Sequence, residues 1–153
     1  MRFASSRLGV LEVPDSEIIH FPEGLYGFET EQRFAILPFD KNIDCPLEWM
    51  HSLQNPDLAF VITDPYVFVP HYKMVLLETE KNAIQLDPGE SFMTRVIINI
   101  PQAYTDMTAN LVAPIAINSR KKIARQFILT TLEYDTRHYL FSDEVRNSKM
   151  SAV

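Results

Sequence analysis

Four histidines, one cysteine and a scatter of carboxylates are the side chains of this sequence with the chemistry of a catalytic or metal site. Their spacing assembles none. His20, His51, His71 and His138 are far apart, and neither an HExxH pair nor a second cysteine completes a ligand set. Cys45 precedes Pro46 in a turn-rich segment, without the patterned base that a thiol nucleophile needs. Phosphate-cradling glycine loops and a GxSxG elbow are absent. Asp57, Asp64 and Asp106 are each explained as turn residues, so no carboxylate pair is assigned to acid and base work. The basic cluster Arg120, Lys121, Lys122 and Arg125 is too small for the stripe of an autonomous nucleic-acid binder. Phe60, Tyr66 and Phe68 lie in apolar runs and read as core, not as a base-stacking platform. The expectation is a binding protein that is not an enzyme, needs no cofactor or metal, and has no direct nucleic-acid contact.

The stretch MTANLVAPIAIN, residues 107–118, stands out instead. Leu111, Ala113, Ile115 and Ile117 occupy one parity of a two-residue repeat, and Asn110, Val112, Pro114, Ala116 and Asn118 the other. The first parity suits a core. The second is semi-apolar, framed by two amides, and holds a proline that cannot donate to a ladder. This spacing predicts one strand at a sheet edge or bulge, with a docking surface on its outer face.

The elements around it are short. A strand pair is expected at 2–4 and 8–13, a loop with constrained dihedrals at 21–29, and strands at 34–37, 47–53, 58–62, 66–69, 95–100 and 123–131. The continuous apolar run 58–62 reads as a central strand buried on both faces. One helix is expected, at 78–86, stopped by Asp87, Pro88 and Gly89. Residues 142–153 carry no apolar period and read as a frayed tail after a single domain at 1–141. The fold class that follows is all-β and mainly antiparallel, a small barrel or sandwich with one short helix.

At 153 residues the chain can bury about 70% of its unfolded surface without staples. Ten prolines against four glycines fit short strands with rigid turns. A net charge of −6 argues against a phosphate-backbone binder and fits a basic protein partner better. One cysteine, no apolar leader run and no stretch of membrane-spanning length predict a cytoplasmic protein.

Three ordered motifs, FPEGLYGFE (21–29), NPDLAFVITDPY (55–66) and MTANLVAPIAIN (107–118), closely resemble the FliW family of bacterial flagellar assembly factors. The closing TRHYL at 136–140 does so too, while Tyr26 stands where that family often has proline, and His51 precedes Ser52 where a glutamine is common. The resemblance implies a small β-barrel-like fold and a non-enzymatic, cytoplasmic role, in a protein expected to be monomeric when free. Its implied partners are flagellin and, in many members, the RNA-binding translational repressor CsrA, which it keeps from repressing flagellin mRNA. Rising free flagellin would capture the protein and release the repressor, as two ligands competing energetically for one protein. The alternative is a flagellin-specific chaperone with no translational role. Within the motifs, Glu23, Glu29, Asp57 and Asp64 are candidates for acidic contacts, and Met107, Thr108 and Asn110 for a protein-binding edge. Structural roles compete with these: Asp57 and Asp64 as turn caps, Asn110 as the partner of a backbone group.

Overall fold

The computed structural model describes residues 1–131 and 133–151, the last four of these as backbone only. The chain opens with a hairpin, β1 (Arg2–Ser5) antiparallel to β2 (Gly9–Glu12), as the sequence predicts. Gly9 enters β2 at φ +76°, a left-handed conformation that glycine adopts without steric cost.

Short strands bounded by proline and turn residues then close into a barrel. β3 (Ile19–His20), β4 (Arg33–Pro38), β5 (Leu47–Ser52), β6 (Ala59–Thr63) and β7 (Met93–Asn99) pair in succession, each antiparallel to the last. Two-residue β8 (Thr108–Ala109) pairs with the end of β7, and β9 (Ile115–Asn118) pairs with its start. β10 (Ile123–Gln126) joins β9 antiparallel and meets β3 in parallel, Ile123 opposite His20. The seven strands β3, β4, β5, β6, β7, β9 and β10 thus form a closed ring, with β11 (His138–Tyr139) extending β8 outside it. The all-β, mainly antiparallel expectation is met in its barrel form.

Apolar side chains fill both faces of much of this wall. Phe21, Phe34, Met50, Ile62, Ile115 and Ile117 form one buried cluster, with Phe21 and Phe34 edge to face at 5.1 Å. A second covers the other face, where Tyr72, Met74, Leu76, Ile84 and Leu111 pack with Val96, Ile98 and Ala116. Val13, Ile18, Ala35 and Leu53, with Phe3 and Leu11 against them, attach the N-terminal hairpin.

Several expectations are corrected. Residues 107–118 are two strands rather than one, because Asn110 turns the chain between β8 and β9. β9 is no edge either: β7 and β10 flank it, and Ile115, Ala116, Ile117 and Asn118 are all buried, since apolar clusters lie on both of its faces. Residues 66–69 are largely helical, in α1 (Pro65–Phe68), because Asp64 caps the turn by accepting from the Tyr66 amide at 2.9 Å. α2 (Glu78–Ala83) matches the expected helix, its entry held by Glu80 accepting from the Leu77 amide. The polar stretch expected to fray carries α3 (Asp143–Ser151), where Arg146 bonds Asp106 at 3.1 Å and stacks on Tyr139. Residues 152–153 lie outside the described ones. β6 is buried on both faces only at its end: Ile62 and Thr63 are enclosed, while Ala59, Phe60 and Val61 stay half-buried.

Candidate protein-binding surface

The loop at 21–29 is a plug with an acidic rim. Pro22 and Gly24 turn the chain back so that the Gly24 amide reaches the Phe21 carbonyl, and Leu25 and Phe28 exchange backbone bonds of 3.3 and 2.8 Å. Gly24 sits at φ +65°, with the Glu29 backbone so near that a Cβ would lie 2.5 Å from its carbonyl oxygen. Leu25 enters the cluster of Phe21 and Phe34, and Phe28 meets Phe60 edge to face at 5.2 Å. This leaves Glu23 and Glu29 exposed around a cavity of about 180 Å³ shared with Tyr26, Arg125 and Gln126. Glu29 spends one oxygen on the Gly27 amide at 3.2 Å.

Gln126 ties this loop to the third motif. Its Oε1 accepts from the Tyr26 amide at 3.0 Å, and its Nε2 donates to the Ala113 carbonyl at 3.1 Å. Sequence reasoning passed over Gln126. The available signal was a polar residue next to Arg125 at the end of a short strand, which does not distinguish a buried clamp from a solvated amide.

The second motif anchors the N-terminal hairpin. Asp57 accepts a hydrogen bond from the Ser6 hydroxyl, and the Ser6 amide donates to the Pro56 carbonyl. Beside it, His51 is buried, with Nδ1 facing the Ser52 carbonyl at 2.6 Å and Nε2 facing the Ser5 hydroxyl at 2.7 Å. A carbonyl only accepts, so Nδ1 carries the proton and Ser5 donates to Nε2. The Ser5 oxygen also accepts from the Arg7 and Leu8 amides, so it serves the hairpin turn rather than acting as a free nucleophile. Among the described residues, no group of three His, Cys, Asp or Glu side chains could hold a metal ion.

The predicted edge residues are largely committed to the fold. Asn110 Oδ1 accepts from the Val112 and Ala113 amides, both at 3.2 Å. Thr108 is buried between Asn99 and Tyr139, and Met107, half-buried, accepts at its carbonyl from Leu140. The four acidic candidates do not share one patch: Glu23 and Glu29 line the same cavity, whereas Asp57 and Asp64 sit at opposite ends of β6, about 20 Å apart at strand rise. Asp57 is exposed and Asp64 half-buried.

The basic hairpin is offset by acids. Arg120 pairs with Asp87 at 2.7 Å and Glu90 at 2.8 Å, and Lys122 approaches Glu17. The Arg120 hydrogen bond, then the Asp87 backbone, hold the Glu90 carboxyl below its ordinary value. On the far side, burial first, then the neighbouring Tyr134 and Tyr66, pushes the Tyr72 phenol well above its usual range while it donates to the Leu111 carbonyl at 2.7 Å.

The class of protein is a closed seven-stranded β-barrel with caps and clamps in its distinctive motifs. Comparison with known proteins places it further: the family model described as FliW protein matches residues 2–140, and the chain belongs to that family of flagellar assembly factors. The flagellar assembly factor FliW of Desulfitobacterium hafniense strain Y51 is 40% identical over 143 residues, spanning 94% of this chain and 93% of that one. The FliW of Geobacillus kaustophilus is 34% identical, over 95% of this chain and 99% of its own. A crystal structure of the flagellar assembly factor FliW superposes with a TM-score of 0.86 at 30% identity, covering 94% of this chain and 99% of that one. No helix among the described residues is long and apolar enough to cross a membrane.

Proposed function

We propose that the protein binds flagellin in the cytoplasm and antagonises a CsrA-type translational repressor by partner exchange, coupling flagellin synthesis to assembly. The observation that carries this reading is the extent of the family match, which runs through all three motifs and nearly the whole barrel. The protein acts by binding, as a monomer when free, and performs no catalysis. The chain's acidity supports the repressor arm, since CsrA is a basic RNA binder and complementary charge speeds encounter and makes it salt-sensitive.

Within that reading, Glu23 and Glu29 are the leading acidic contacts, being exposed beside one another on a rigid loop. Asp57 and Asp64 each engage one carboxylate oxygen, with the Ser6 hydroxyl and the Tyr66 amide, and among the described residues the other is left for a partner cation. Met107, Thr108 and Asn110 contribute through the shape of the β8 turn, because Asn110 Oδ1 and the Met107 carbonyl are already engaged and Thr108 is buried.

The test is a labelled flagellin leader RNA bound to purified CsrA. The proposal predicts that adding this protein releases the RNA, and that flagellin added in turn restores repression. RNA that stays bound at saturating protein, with flagellin binding intact, would leave a flagellin chaperone without the translational arm. Charge reversal of Glu23 and Glu29 to lysine should weaken repressor release and reduce its salt dependence; an unchanged, folded variant would remove them from the interface.

A further inference from the structure

The barrel wall is parted between β6 and β7, and the parting is lined with apolar side chains. Leu37, Trp49, Val61 and Ile98 stand in one cross-strand row through the registers Leu37↔Trp49, Trp49↔Val61 and Val61↔Ile98. Their neighbours Met50, Ile62 and Ile97 belong to the cluster with Phe21 and Phe34, so strand alternation puts the row on the opposite, outer face. The β6–β7 ladder stops at Val61↔Ile98. Beyond it Ala59 and Phe60 pair with β5, while β7 runs on with β8 at its other edge, Ile98 opposite Ala109 and Asn99 opposite Thr108. A groove of about 660 Å³ opens where the strands diverge, with Trp49, Val61, Ile98 and Ile100 along it and Arg7 and Phe39 at its rim. The Arg7 guanidinium lies 5.3 Å from the Trp49 ring centroid and forms no ion pair among the described residues.

We propose that this groove takes an extended, apolar segment of the protein's partner, with a carboxylate of that segment set against Arg7. Three features select this occupant. On the edges that face the parting, Ala59 and Phe60 of β6 and Asn99 of β7 have no ladder partner among the described residues, which another extended chain supplies and a helix does not. Half-buried Val61 and exposed Ile100 leave apolar area for side chains of such a strand, over a floor formed by the buried Trp49 and Ile98. The unpaired cation over an aromatic face favours an anionic end, and it is a local exception on a chain of net charge −6. A second copy fits worse: a twofold contact sets one concave groove against another, and two chains of that charge repel.

The inference rests on flagellin being a partner, and purified monomeric flagellin is the probe. Its binding is measured by calorimetry for the wild-type chain and for Val61→Lys, Ile100→Asp and Arg7→Glu, with thermal unfolding of each. Ile100 and Arg7 are exposed, so these two variants keep the test sound where Val61→Lys does not fold. Val61→Lys and Ile100→Asp should each weaken binding about tenfold or more, the scale of an interface anchor. Arg7→Glu should weaken it about fivefold at low salt and less at high salt. Wild-type binding that is unchanged in Ile100→Asp and Arg7→Glu overturns the groove and leaves the functional reading standing. Absence of any wild-type binding overturns both. Loss of self-association in the same variants, with flagellin affinity kept, assigns the groove to a second copy and overturns the proposal.

Discussion

Replacing Asn110 with alanine separates a turn residue from a contact residue. The substitution removes the acceptor that two amides share, Val112 N and Ala113 N at 3.2 Å each. Ala113 is 9% exposed, so its amide has little access to replacement water. Loss of an asparagine cap costs about 0.5–2 kcal/mol, and a buried amide left unsatisfied about 1–3 kcal/mol. The two long bonds and the half-buried site put Asn110→Ala near 1.5 kcal/mol, roughly a 5 °C fall in Tm for a domain of this size. Asn110→Asp keeps the acceptor and should stay within about 0.5 kcal/mol of wild type. Urea unfolding followed by the fluorescence of the single tryptophan, Trp49, reads both variants. An alanine variant as stable as wild type, or an aspartate variant as unstable as alanine, refutes the turn assignment. Lost flagellin binding at unchanged stability would make Asn110 a contact instead.

Gly24→Ala should cost more than about 2 kcal/mol or displace the 21–29 loop, because its Cβ would meet the Glu29 carbonyl in a left-handed conformation; loss of exchange protection at the Tyr26 amide reports it. Asn118→Ala should cost about 3 kcal/mol in urea unfolding, since this buried amide donates to Ile84 and Gln85 and accepts from Lys121. Tyr72 carries an alkaline signature. Its folded pKa is raised, so the unfolded chain ionises first; the stability is fully present below about pH 10, the unfolded value, and is lost as pH rises toward the folded one. Tyr72→Phe should lower stability by about 1 kcal/mol at neutral pH and flatten that alkaline loss in urea titrations.

The barrel was legible where local chemistry and tertiary context agree. Proline-bounded runs such as those of β4 and β7, and the Asn55, Pro56 and Asp57 turn, carry their own boundaries. Residues 107–118 misled for a physical reason: strict alternation continues straight through Asn110, and nothing in the spacing says that this side chain bends back to its own backbone. Residues 66–69 misled likewise, because aromatic and β-branched content outweighed the Asp64 and Pro65 start signal. Burial on both faces of β9 depends on segments more than 30 residues away, such as Tyr72, Met74 and Ile84. The candidate contacts were legible as types but not as a surface: the expected strand 58–62 already parts Asp57 from Asp64, but the meeting of the 21–29 loop with Gln126 follows from a barrel closure that one sequence does not reveal.

The central claim is partner exchange, and a three-way calorimetric titration tests it most directly. The protein is titrated with flagellin, with CsrA, and with CsrA after saturation by flagellin. The account predicts binding to each partner alone and a CsrA affinity at least tenfold weaker once flagellin is bound, a coupling of about 1.4 kcal/mol or more. Equal CsrA affinity in the presence and absence of flagellin, or no binding of one partner, would contradict it.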